Sequence, residues 1–115
     1  MQRERMQAFM VLPDAAISEH LDLIARLALK HHLPSTYVQS AYAAAGGLMS
    51  YGQDTVGNFR LGAKFIDKII KGAKPGDLPF EQPTVFEVVI NMTTARDLGV
   101  KIPQAILIQA TRVIE

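Results

Sequence analysis

The sequence predicts an α/β fold built from parallel-sheet βαβ units, and three observations point to it. The run from Ala8 to Leu12 is short and entirely apolar, which is typical of a parallel strand covered on both faces. An amphipathic helical pattern follows this run, and a second strand pattern begins at Ser35. Hydrophobic residues make up 49% and charged residues 20% of the 115 residues, so the chain has the composition of a folded protein with a core.

The first helix is predicted to run from Asp14, a favourable N-cap residue, to the pair His31 and His32. Apolar residues recur at helical spacing behind the cap: Ile17, Leu21, Ile24 and Ala28. Pro34 ends the pattern, because a proline disfavours helical geometry at the residue before it. Residues 35–39 then form the second strand, which a right-handed crossover places parallel to the first.

The middle of the chain contains a short helix, a short strand and the longest helix. Residues 41–45 are helical and stop at Gly46 and Gly47, residues 48–51 form a strand followed by Gly52, and residues 54–71 form the long helix. One apolar stripe of this helix consists of Val56, Phe59, Ala63, Ile66 and Ile70. Gly72 suits the end of the helix.

The last third begins with a turn-rich connector over residues 74–79, which is the clearest internal boundary. Residues 84–92 give the strongest strand pattern because they are rich in β-branched residues. A short helix capped by Asn91 or Thr93 follows and ends at Gly99. Pro103 is predicted to open a final helix that includes Ile106, Ile108, Ala110, Val113 and Ile114.

Charge and composition exclude several classes of function. The 12 Lys and Arg residues nearly balance the 11 Asp and Glu residues, so we expect no nucleic-acid partner. The basic stripe formed by Arg60, Lys64, Lys68, Lys71 and Lys74 is interpreted as a solvated face. The chain has no Cys, which excludes disulfides, thiolate catalysis and Cys-based metal sites.

Three motifs fall short of catalytic or metal-binding patterns. His20, His31 and His32 do not share a helical face with a third ligand, so we expect no metal site. The segment 57–64 imitates a phosphate loop, but Ala63 stands where the motif needs Lys. The segment 47–52 has its first Gly three residues before Ser50, whereas the hydrolase motif needs two. We therefore predict no enzyme activity and no cofactor.

Polar residues at the predicted strand ends are the candidates for binding a ligand. In open parallel sheets, ligands lie beyond the carboxyl ends of the strands. Pro13–Asp14, Gln39–Ser40 and residues 51–54 lie at such ends. From them and the adjacent strand we select five candidate ligand-binding residues: Asp14, Ser50, Tyr51, Gly52 and Asp54. The alternative is that Asp14 and Asp54 serve only as N-caps.

Three segments of the chain closely resemble the C-terminal part of ABC-transporter substrate-binding proteins. They are the Gly-Gly-Leu-Met-Ser-Tyr-Gly run within residues 45–54, the Lys-Gly-Ala-Lys-Pro-x-Asp-Leu-Pro run within residues 70–84, and residues 86–99. Residues 11–14 and 32–34 are also similar to that family. The resemblance covers nearly all of the chain.

The resemblance implies a type I periplasmic-binding-protein-like fold with three αβα layers, of which this chain is the C-terminal third. In that family two lobes enclose a small molecule, and the closed form is presented to a membrane permease. The resemblance implies that residues 8–45 are a βαβ piece of the second lobe, that residues 46–79 return to the first lobe, and that residues 80–115 supply the C-terminal strand and helices.

The sequence departs from the family pattern at its N-terminus. Family members carry a signal peptide and often a lipid-anchored Cys, whereas residues 1–7 are mostly polar and the chain has no Cys. The resemblance implies a periplasmic location, and the chain as written is expected to be cytoplasmic. The missing first-lobe units leave one cleft wall absent, so we expect a fragment.

Two functions from different classes remain open. The first is a solute-binding component of an ABC import system that performs no chemistry. The second is a vestigial or structural α/β domain that only self-associates. A second apolar patch on the long helix, formed by Leu61, Phe65 and Ile69, would be exposed if nothing covered it, which predicts a homo-oligomer or a domain-swapped dimer.

Overall fold

The computed structural model describes residues 6–115, and it contains five strands and six α-helices in this part of the chain. Residues 1–5, which hold most of the polar N-terminal segment considered in the sequence analysis, lie outside the described residues. The elements are β1 (Phe9–Val11), α1 (Ala15–Ser18), α2 (Leu21–Lys30), β2 (Ser35–Tyr37), α3 (Ser40–Ala44), β3 (Met49–Gln53), α4 (Thr55–Ile70), β4 (Phe86–Asn91), α5 (Met92–Asp97), α6 (Gln104–Gln109) and β5 (Arg112–Ile114). A short 3₁₀ turn covers Pro75–Asp77.

The five strands form one sheet in the order β1-β2-β3-β4-β5. Strand β2 pairs in parallel with both β1 and β3, and β4 pairs in parallel with β5. The Asn91 amide donates to the Leu48 carbonyl at 2.9 Å, so the end of β4 lies beside the residue that precedes β3. These two neighbours therefore run in opposite directions, and the predicted α/β fold with a mostly parallel sheet is confirmed.

The chain divides into two compact units. The first comprises residues up to Gly52 together with Glu87–Glu115, and the second comprises Gln53–Phe86. The assignment of residues 8–45, 46–79 and 80–115 to lobes of a larger fold stays a prediction.

The core of the first unit lies where α2 and α3 meet the sheet. Tyr37 of β2 stacks on Tyr42 of α3 with ring centroids 4.6 Å apart, and Phe9 of β1 meets the edge of the Tyr37 ring. Val89 and Ile90 of β4 are also fully buried. This aromatic and aliphatic cluster fixes the sheet whose strand ends carry most of the candidate site.

The prediction that both faces of β1 are covered is wrong. Met10 exposes 64% of its surface, and Phe9 and Val11 are only half-buried. Strand β1 lies at the edge of the sheet, and only the Phe9 side packs against Tyr37. An apolar run alone does not show whether a strand is central or at an edge.

The predicted first helix is interrupted. Helix α1 ends at Ser18, and α2 begins after His20, whose amide bonds back to the Ile17 carbonyl in a tight turn. The Ser18 hydroxyl also donates to the Asp14 carbonyl at 2.7 Å, which is the kind of local side-chain bond that competes with continued helix.

The predicted final helix is also too long. Helix α6 ends at Gln109, and Val113 and Ile114 belong to strand β5. The change occurs at Thr111, whose amide donates to the Val88 carbonyl while its hydroxyl accepts from the Val88 amide. Pairing with β4 therefore overrides the helical spacing of the apolar residues.

The second unit consists mainly of α4 and the connector that follows it. Asp54 caps the helix through the Gly57 amide, and Gly72 ends it with a φ of 103°. Of the patch expected to be exposed if nothing covered it, Ile69 is exposed, whereas Leu61 and Phe65 are half-buried. Phe65 and Ile69 line a hollow with Pro75, Leu78 and Pro79 of the connector.

Candidate ligand-binding site

The register of the sheet brings the ends of three strands to one edge. Val11 of β1 pairs with Tyr37 of β2, and Tyr37 pairs with Ser50 of β3, so these residues form one row across the sheet. The three strands are parallel, and their following residues therefore emerge on the same side. Strand β3 continues past the row through Tyr51 and Gly52.

Asp14 lies at this edge and caps α1. Its Oδ1 atom accepts hydrogen bonds from the amides of Ala16 at 2.9 Å and Ile17 at 3.2 Å. The carboxylate also lines an apolar hollow of about 530 Å³ beside Leu12, Pro13, Ile17 and Ile24. Asp14 is thus an N-cap, and its Oδ2 atom has no hydrogen-bond partner among residues 6–115, so its role towards a ligand stays a prediction.

Ser50 is buried in the middle of the sheet, with 1% of its surface exposed. Its hydroxyl is a buried side-chain group without a hydrogen-bond partner in the part of the chain that the structure describes. A hydroxyl without an adjacent base is not an activated nucleophile. The ligand-binding role of Ser50 stays a prediction.

The neighbour of Ser50 in the row, Tyr37, is by contrast fully satisfied. Its hydroxyl donates to the Ser35 Oγ atom at 2.8 Å. Burial raises the pKa of the Tyr37 hydroxyl, although the hydrogen bond to Ser35 opposes this effect. Tyr37 is therefore a neutral structural side chain.

Tyr51 and Gly52 differ in exposure although they are adjacent. Tyr51 exposes 56% of its surface, as an aromatic group that meets a ligand would. Gly52 is buried, and a Cβ atom built there would collide with the Val38 carbonyl group. Gly52 is needed because two backbone segments approach closely at this point.

Asp54 belongs to the second unit and caps α4. Its Oδ1 atom accepts from the Gly57 amide at 2.9 Å, and its backbone amide donates to the Val85 carbonyl at 3.2 Å. It lines a hollow of about 240 Å³ with Asn58, Leu61 and residues 81–85. The other four candidates lie in the first unit, so a common site that includes Asp54 stays a prediction.

Sequence reasoning missed two residues that hold the loop before β3, at the end of the sheet opposite the candidate edge. The Asn91 side-chain amide donates to the Ala43 carbonyl at 3.0 Å and accepts from the Thr94 amide at 3.1 Å. The Thr94 hydroxyl donates to the Gly46 carbonyl at 2.9 Å. Together they hold the loop that leads into β3, and the capping role of Asn91 was the only part of this network visible in the sequence.

Two further observations concern metal binding and membrane-spanning helices among the described residues. Within residues 6–115 no group of three or more His, Cys, Asp or Glu side chains is placed to hold a metal ion. None of the helices over the same residues has the length and apolar character needed to cross a membrane.

The solved structures that are similar to this chain belong to much longer chains. A conserved domain protein from Vibrio cholerae O1 biovar El Tor strain N16961 matches with a TM-score of 0.85 and 26% identity over 96% of this chain. An ABC domain from Streptococcus pneumoniae in complex with L-Trp matches with a TM-score of 0.85 and 28% identity over 98%. The present chain spans 37% and 39% of those two chains, respectively.

A more distant similarity concerns the fold alone. A ligand-free, open substrate-binding protein with adhesive properties from Clostridium difficile matches with a TM-score of 0.61 and 18% identity, over 91% of this chain and 35% of that one. Among curated proteins none matches.

The family is settled by a match over almost the whole sequence. The model of the family described as ABC transporter substrate binding protein matches residues 1–114. The resemblance drawn from residues 45–54, 70–84 and 86–99 is confirmed, and the chain belongs to the ABC transporter substrate-binding protein family.

Proposed function

We propose that this chain supplies part of a binding site for a small amphipathic solute of the aromatic amino acid class, for import by an ABC transporter, and performs no chemistry. The observation that carries the proposal is the complex of the S. pneumoniae relative with L-Trp, at 28% identity over 98% of this chain. The ABC permease is the expected protein partner, by family membership.

The edge of the sheet offers groups that match this solute class. Tyr51 supplies an exposed ring that can stack on an aromatic side chain. The unengaged Oδ2 atom of Asp14 can accept hydrogen bonds from an ammonium group, and Asp54 is proposed as a further carboxylate for a ligand. Ser50 is proposed to bond to the solute through its unpaired hydroxyl.

The experiment is isothermal titration of the 115-residue chain with L-Trp, L-Phe and, as a non-aromatic control, L-Leu. We expect binding of the aromatic amino acids, weakened by Tyr51→Ala and by Asp14→Asn. A matched control is Glu19→Gln, which removes a carboxylate at the other end of α1 from the cap. Each variant is checked for unchanged circular dichroism, since Asn at position 14 still caps a helix.

The competing function is a domain that only self-associates, and the exposed apolar surface of α4 favours it. A ligand that binds the folded state raises its stability by about 2.7 kcal/mol at a hundredfold excess over Kd. A folded chain that shows neither heat of binding nor a thermal shift with any of the three amino acids would show that these 115 residues do not bind this solute class by themselves, and would favour the competing function.

A further inference from the structure

We draw no further inference here: the strongest candidate, the apolar hollow of about 530 Å³ that Asp14 lines beside the edge strand β1, carries none because nothing in the structure shows what covers it.

Discussion

The two units of this chain differ in how completely their apolar residues are buried. In the first unit, Tyr37, Val89 and Ile90 are almost completely shielded from solvent. In the second unit, α4 is an equally regular helix with a good N-cap and a glycine at its end, yet none of its residues is fully buried. Local signals are thus sufficient to define a helix, but they do not supply the apolar burial that stabilises it.

The largest expected effect comes from truncating the same residue type in each unit. Val89→Ala should lower the free energy of unfolding by about 2 to 3 kcal/mol, because it removes buried methyl groups and leaves a cavity. Val85→Ala, four residues earlier and 61% exposed, should change it by less than about 0.5 kcal/mol. Urea unfolding followed by circular dichroism measures both.

Equal losses of unfolding free energy in Val89→Ala and Val85→Ala would contradict the difference in burial between the two units. They would mean that Val85 is covered in solution, and therefore that the second unit has a partner surface along the segment before β4. The parent chain and both variants should be compared at one protein concentration, since self-association would add to apparent stability.

Much of the local structure could be predicted because its causes lie within a few residues. Asp14, Asp54 and Asn91 each cap the helix that follows, as their residue types and positions indicated. The parallel β1-β2 pair likewise follows from the strand–helix–strand pattern.

The sequence-based predictions were wrong where contacts between residues far apart in the sequence determine the structure. Val113 and Ile114 fit both a helical and an extended pattern, and their pairing with β4 selects the strand. The exposure of Met10 depends on the position of β1 in the sheet. The bond from Asn91 to Ala43 joins residues 48 positions apart, which no local pattern indicates.

A smaller effect is expected from the core tyrosine of the first unit. Tyr37→Phe should cost about 1 kcal/mol at neutral pH, because it removes the bond to the buried Ser35 hydroxyl. Because burial raises the pKa of Tyr37, the unfolded state loses this proton first. The parent chain should then lose stability as the pH rises past about 10, and Tyr37→Phe should reduce that loss.

Unfolding in urea between neutral pH and about pH 11 measures this slope, with Tyr51→Phe as the control at an exposed tyrosine. If the alkaline loss of stability is the same in Tyr37→Phe as in the parent chain, the buried hydroxyl is not its source.

The smallest expected effect on stability, and the sharpest test of the candidate site, is at Ser50. Its hydroxyl is buried and has no partner among the described residues, so Ser50→Ala should leave the free energy of unfolding unchanged or raise it by up to about 1 kcal/mol. Ser35→Ala, the matched control in β2, should destabilise the chain because it leaves the Tyr37 hydroxyl unpaired. Calorimetric unfolding of the two variants measures the difference.

If Ser50→Ala lowers the free energy of unfolding as much as Ser35→Ala does, the Ser50 hydroxyl has a structural partner, such as a buried water. If Ser50→Ala leaves stability unchanged but weakens L-Trp binding, the hydroxyl contacts the ligand, because its removal would then affect binding and not the core.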